Sequence, residues 1–347
     1  LVITAFVYAC KYWILHGVFG QIEADVMHHA DVYLLIVTAS IPFIALYNGG
    51  AAVFRAMGNS EVSMKVSLLM NAINVSGNAI LIYGFHCGTE GVAIPTLVSR
   101  FVTAFIIIKL LLKDKWSLHL ERTFRFNPDW SMIRKILSVG IPNGLENSMF
   151  QLGKVLVLSL VSTFGTYAIA ANAVSNVITL FSILPGQAIC LAVTTVIARC
   201  VGAGDYEQAK YYNKKLILLT HIGMAITIFI VFITLPFILK VYNLSEAASE
   251  ATRHIIWFHG FCAILIWAES FTLPATFRAC GDAKACMIIS TVSMWIFRVG
   301  ASYILGKNRG LGVFGVWVAM IIDWAFRSLL FGIRYFSGKW KKHALVS

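Results

Sequence analysis

Apolar residues run in long blocks along this chain, and polar residues gather in short breaks between them. A helix that crosses a bilayer needs about 20 mainly apolar residues. Blocks of that order lie at 32–53, 62–83, 91–112, 132–162, 167–198, 216–239, 252–277, 283–305 and 311–336. Residues 1–15 read as the tail of one more, so the pattern predicts about ten spans, the first of them cut short. The breaks carry turn residues: Gly58-Asn59, the segment 84–90, Gly165, Gly202-Ala203-Gly204-Asp205 and the segment 306–310. A polar loop is expected at 16–31, with Glu23, Asp25, His28, His29 and Asp31, and another at 240–253. The longest break, 113–135, holds Lys113, Lys115, Arg122, Arg125, Arg134 and Lys135, and it reads as a basic connector between two apolar lobes.

Composition sharpens this picture. Of 347 residues, 59% are hydrophobic and 13% charged, against roughly 45–50% and 25% in a soluble domain. The pattern therefore predicts an all-α integral membrane protein. The net charge of +12 does not mark a nucleic-acid partner, because the basic residues are spread over short loops, as the positive-inside bias expects. Placing the connector in the cytoplasm puts most of the basic residues inside and leaves Lys11, Lys240, Arg253, Lys307 and Arg309 outside. The seven cysteines, at positions 10, 87, 190, 200, 262, 280 and 286, show no metal-type spacing and read as small buried hydrophobes. The chain carries no His-Glu-x-x-His, no Gly-x-Ser-x-Gly and no Walker motif, so neither an enzyme nor an ATP-driven pump is expected. A start at Leu1, without a basic leader region, reads as a start inside a helix.

The two lobes share a signature. Arg55-Ala56-Met57-Gly58 recurs as Arg278-Ala279-Cys280-Gly281, at an offset of 223 residues, with Asp282 next. Gly88-x-x-Gly91 recurs as Gly312-x-x-Gly315, at an offset of 224. Each copy encloses one span and runs in the same direction, which predicts a parallel repeat, an architecture that transporters use. The expected organisation is an incomplete N-terminal lobe (1–112, four spans), a cytoplasmic connector (113–131), a C-terminal lobe of six spans (132–336) and a cytoplasmic tail (337–347). By the repeat, the intact plan has twelve helices, two of them and the start of a third missing here.

Polar residues inside spans are the candidate chemistry, because they are costly in lipid. Asn71, Asn74 and Asn78 form one helical stripe, as interhelical glue or as a cavity lining. Asn147, Gln151 and Asn172 are further candidates for a cavity wall. Glu146, one turn past Pro142, can hold a proton or a sodium ion, or pair with a base such as Lys154. Glu269 lies five residues before Pro274, which frees backbone carbonyls nearby. Asp323 is a third carboxylate for cation coupling, with an ion pair to Arg327, four residues on, as the alternative. Arg100 and Arg298 are expected as charge partners or snorkelling residues.

Gly140-Ile141-Pro142, Gly165-Thr166-Tyr167-Ala168-Ile169-Ala170-Ala171-Asn172-Ala173, Pro185-Gly186-Gln187-Ala188, Gly202-Ala203-Gly204-Asp205, Arg278-Ala279-Cys280-Gly281-Asp282 and Gly312-Val313-Phe314-Gly315-Val316-Trp317 follow one another in order. The ordered set resembles the multidrug and toxic compound extrusion (MATE) transporters. The resemblance implies two pseudo-symmetric helical bundles that exchange small amphipathic or cationic compounds for H+ or Na+ across the inner (plasma) membrane. No cofactor beyond that ion is implied, and a monomer is expected. It also implies that the helices of Glu146 and Glu269 can carry acidic cation ligands. The alternative is a lipid-linked oligosaccharide flippase on the same plan, for which more basic residues would be expected to face the cavity.

Overall fold

The computed structural model describes residues 1–13, 15, 24–121 and 128–343. Arg122 and Arg125 of the connector, and Glu23 of the predicted loop, lie outside the described residues. Among the described residues the chain is helical, without strands. Two compact units form, Leu1–Asn127 and Pro128–Ser347. Eight helical segments are long and apolar enough to cross a membrane. A further long helix, Trp130–Ser162, carries Asn143, Glu146, Asn147, Gln151 and Lys154 and so falls outside that apolar set.

The first unit contains α1 (Val2–Ala9), α2 (Ala24–Ala39), α3 (Ile41–Ala56), α4 (Ser60–Ala79) and α5 (Glu90–Leu111). The helix α2 begins within the polar loop expected at 16–31. His28 and His29 thus lie on a helix, where His29 bonds Thr89 Oγ1 (3.1 Å) at the start of α5. Pro42 has no N–H to offer, so the ladder breaks near Ser40, and the buried Ser40 hydroxyl accepts from Arg100 Nη1 at 2.6 Å. The partner of Arg100 is therefore a hydroxyl and not a charge. Tyr47, Ala51, Phe54, Val66, Ile107 and Leu111 form the core of this unit. Asn74 donates to Thr96 Oγ1 (3.0 Å) and accepts from Asn78 (3.3 Å), tying α4 to α5, while Asn71 is exposed.

The second unit contains α6 (Trp130–Ser162), α7 (Thr166–Gly202), α8 (Tyr206–Tyr242), α9 (Glu246–Trp267), α10 (Leu273–Ala279), α11 (Ala283–Ser293) and α12 (Gly312–Phe336). Three of its helices, α6, α8 and α9, start on side-chain caps: Asp129 accepts from Met132 N (3.0 Å), Asp205 from Gln208 N (2.8 Å) and Ser245 from Ala248 N (3.4 Å). Most of the polar break expected at 199–215 is helical, with only the turn at Ala203–Asp205 left between α7 and α8. One core gathers Val161, Met224, Ile255, Trp267, Val316 and Trp324. A second gathers Val193, Ile197, Phe277, Cys286 and Phe331. Outward, Ile226, Phe229, Ile233 and Phe237 leave an apolar stripe exposed along α8, the surface expected where lipid is the solvent.

The repeat is present in three dimensions. After α3, Asn59 N donates to Phe54 O (2.9 Å) across Gly58 at φ +82°. After α10, Asp282 N donates to Phe277 O (2.9 Å) across Gly281 at φ +87°. Phe54 and Phe277 are both fully buried. Each copy then reaches its Gly-x-x-Gly through a wide π-helical turn, Ile80–Gly84 in one and Tyr303–Asn308 in the other. Further π turns span Ala268–Thr272 and Met294–Gly300.

Candidate functional site

The second unit holds an open cavity of about 1030 Å³ between α6, α7, α9, α10, α12 and the π turn at Met294–Gly300. Its walls mix aromatic rings (Phe150, Trp267, Phe271, Trp317, Trp324) with amides (Asn147, Gln151, Asn172, Asn176, Gln187). Asn172 is buried and accepts from Trp317 Nε1 at 3.1 Å, which fixes the ring of α12 against α7. His259 is buried edge-on to Trp317 and Trp324, with ring centroids at 5.5 and 5.2 Å. Of the residues singled out in the sequence, Glu146, Asn147, Gln151, Asn172 and Arg278 all line this space.

Glu146 is 5% exposed. Both of its oxygens accept from Arg278 Nη2, at 2.8 and 2.9 Å. The partner is therefore the arginine of the repeated turn, and not Lys154. Removing either member would strand a charge away from water, which is far costlier than the pair itself. Arg278 Nε remains without a partner.

Arg327 is 2% exposed. Its guanidinium lies between the Phe150 and Phe271 rings, 5.0 and 4.6 Å from their centroids. Pro274 cannot donate to Ser270 O, four residues back, and Arg327 Nη2 reaches that carbonyl at 3.3 Å. Its Nε and Nη1 have no partner. The direct Asp323–Arg327 ion pair expected from their spacing does not form: no nitrogen–oxygen approach within 4.0 Å exists between them. Asp323 instead accepts from Ser293 Oγ at 2.5 Å, and its Oδ2 is buried and unpartnered. It is fully buried but does not line the cavity.

Glu269 also stands apart from the cavity lining. It sits on the π turn at Ala268–Thr272, with Oε1 3.0 Å from His221 Nε2, while His221 Nδ1 meets Ile264 O at 2.6 Å. Holding both ring nitrogens in polar contacts fixes the imidazole on α8 between the carboxylate and a backbone carbonyl. The second carboxylate oxygen of Glu269 has no partner. His221 was not singled out in the sequence. The only signal was a histidine within a strongly apolar block.

Basic residues at the cavity are the larger correction. Basic residues facing the cavity were the mark expected of the flippase alternative, and Lys154, Arg278, Arg298 and Arg327 all line it. Arg298 belongs to the π turn Met294–Gly300, whose backbone is held by Ser302 Oγ donating to Arg298 O. The pairing of Asp282 completes the repeated turn: both oxygens are bound by Arg334 of α12, at 2.6 and 2.9 Å.

The chain resembles transport proteins over nearly all of its length. The family model MatE matches residues 1–80 and 142–304. The "Probable multidrug resistance protein NorM" of Thermotoga maritima is 26% identical over 339 residues, which cover 96% of this chain and 72% of the relative. The "Probable multidrug resistance protein YoeA" of Bacillus subtilis is 25% identical over 328 residues, covering 93% and 70%. A solved outward-facing multidrug resistance MATE family transporter of the MOP superfamily superposes with TM-score 0.87 at 19% identity, over 98% of this chain and 78% of that one, a likeness of fold. With the family model matched over more than half of its residues, and the same two-bundle helical fold, the chain belongs to the MatE family, the multidrug and toxic compound extrusion transporters.

Proposed function

We propose that the chain works as a secondary active efflux antiporter, moving amphipathic small molecules outward against an inward flow of H+ or Na+, and that it does no bond-making chemistry. The observation that carries this reading is the cavity of about 1030 Å³. Its aromatic and amide walls suit a mixed apolar and polar cargo. The carboxylate in its lining, Glu146, is held by a single competitor, Arg278. A proton or sodium ion on Glu146 would remove the charge that Arg278 answers and release that guanidinium into the cavity. Cargo and coupling ion would then act on one ion pair, with different affinities in two facing states, as any such exchange requires. Glu269 with His221, and Asp323 with Ser293, are the other two places where a cation could be exchanged.

The motion would be a rocking of two bundles, since the repeated turns give each bundle the same start and end. The basic connector and tail would face the cytoplasm in the inner membrane, by the positive-inside bias, and the transporter would act as a monomer. The four basic residues of the cavity are what the flippase alternative expects, but the match to the MatE model and to relatives named for multidrug resistance weighs against it.

The test is export by the chain in proteoliposomes, with sodium and proton gradients imposed separately. Uptake of a fluorescent drug that follows one gradient, and is lost in Glu146→Gln at unchanged protein incorporation, is the expected result. Full transport by Glu146→Gln would remove that carboxylate from the coupling step. No gradient-driven movement by the unaltered chain would end the antiport reading.

A further inference from the structure

The charge of the cavity wall does not fit a cation. Lys154, Arg278, Arg298 and Arg327 line it, against the single carboxylate of Glu146. That carboxylate is already taken, since Arg278 holds both of its oxygens. Asp323 stands behind the wall without reaching any basic nitrogen within 4.0 Å, and even counting it, the cations outnumber the carboxylates. Arg327 is 2% exposed and keeps two nitrogens without partners, and Arg278 keeps one. Among the described residues, neither the Lys154 ammonium nor the Arg298 guanidinium has an ion-pair partner within 4.0 Å.

Positive charge in excess of the nearby carboxylates is costly within a membrane-spanning bundle, and a ligand of opposite charge relieves it. A cation entering the same space would meet repulsion from several sides. The guanidinium groups present flat forks of donors that match carboxylate, sulfonate or phosphate oxygens. Beside them, Phe150, Trp267, Phe271 and Trp317 line the space with apolar surface.

We propose that this cavity binds an amphipathic organic anion: an apolar, ring-bearing body with one acidic group, seated with its oxygens toward Arg298 and Lys154, with the covered Arg327 adding positive charge from behind the wall. The inference rests on the transporter reading in taking the cavity as the place where cargo sits. The acidic group belongs either to a free organic acid or to an anionic lipid, and both offer the same chemistry to the arginines.

A pair of probes with one ring system and opposite charge decides the sign: 1-pyrenesulfonate and 1-pyrenemethylammonium. Each is titrated into the purified full chain in uncharged maltoside micelles, with energy transfer from the cavity tryptophans as the readout. The sulfonate is expected to bind about ten-fold tighter or more. Lys154→Gln and Arg298→Gln are each expected to weaken sulfonate binding by about ten-fold, the low end for loss of one close charge partner. Their ammonium affinity should stay level or rise. Lys154 is exposed, so its replacement spares the fold, and the unfolding midpoint of each variant checks this. Glu146→Gln works in the opposite direction: it frees Arg278 and should tighten the sulfonate. Equal or tighter binding of the ammonium overturns the proposal, as does an unchanged sulfonate-to-ammonium ratio in both basic-residue variants. Competition by phosphatidylglycerol, with none by phosphatidylcholine, assigns the acidic group to lipid. Sulfonate binding that resists phosphatidylglycerol assigns it to a free acid, and the anion site stands in both cases. Transport separates the two readings. Sulfonate that binds but follows no imposed gradient ends the antiport reading and keeps the site. Ammonium that is transported, while sulfonate fails to bind, does the reverse.

Discussion

Glu146 shows how far a single residue can be read from the chain. A carboxylate inside a long apolar block is costly, so it must have a purpose or a partner, and that much is visible in sequence. The identity of the partner is not, because Arg278 lies 132 residues away and reads locally as part of a helix-ending turn. A separation of 52 residues likewise hides the partner of Asp282, which is Arg334. Local spacing misled for Asp323: four residues separate it from Arg327, but Pro274 exposes the Ser270 carbonyl and Arg327 turns to that instead. The buried Glu146–Arg278 pair carries a quantitative expectation. Arg278→Met alone should cost about 3–5 kcal/mol, because it strands the carboxylate, whereas Glu146→Gln with Arg278→Met should cost clearly less. Denaturant unfolding of the two single variants and the double variant in detergent measures this. Additive losses would mean that the two charges do not answer each other.

At the scale of elements, the spans were legible because lipid imposes a length and a composition, and the structure departs from the expected boundaries mainly by extending helices into polar breaks. The helix α8 starts at Tyr206, ten residues before its apolar block. The π turns were not legible, since no residue type marks them, and one of them carries Arg298 to the cavity. The repeated turns were legible for a physical reason: Gly58 and Gly281 sit at φ +82° and +87°, a region that costs other L-residues about 1–2 kcal/mol. Gly281→Val should lower stability by about that much or more, and Gly58→Val likewise. Gly315 is stricter. A Cβ there would stand 2.8 Å from the carbonyl carbon of Leu305, so Gly315→Leu must part α12 from the π turn at Tyr303–Asn308. It should lower the yield of folded protein more than Gly281→Val does. Gly140, where an added Cβ would meet nothing within 4 Å, is the control: Gly140→Ala in mid-helix should be neutral or gain up to ~1 kcal/mol. Size-exclusion profiles and unfolding midpoints rank the four variants, and equal loss in Gly140→Ala and Gly315→Leu would refute the packing argument.

Across the whole molecule, two lobes could be read from the chain but the charge of the cavity could not. Its four basic residues come from α6, α10, a π turn and α12, between positions 154 and 327. Each looks isolated on its own helix, and only the fold gathers them. Among the described residues, the fold also gathers an apolar core within each unit. The buried cluster of Tyr47, Phe54 and Ile107 draws only on the first unit. The clusters around Trp267, Phe277 and Val231 draw only on the second. The cavity and its ion pair also belong to the second unit alone. A unit with its own core can fold alone, and here it would keep the site as well. The piece 128–347, expressed by itself and extracted in maltoside, should therefore unfold in one cooperative transition. It should also respond to Arg278→Met and to the Glu146→Gln/Arg278→Met pair as the full chain does. Gradual unfolding without a transition, or a loss of the coupling between Glu146 and Arg278 in this piece, would mean that the N-terminal unit holds the cavity in shape.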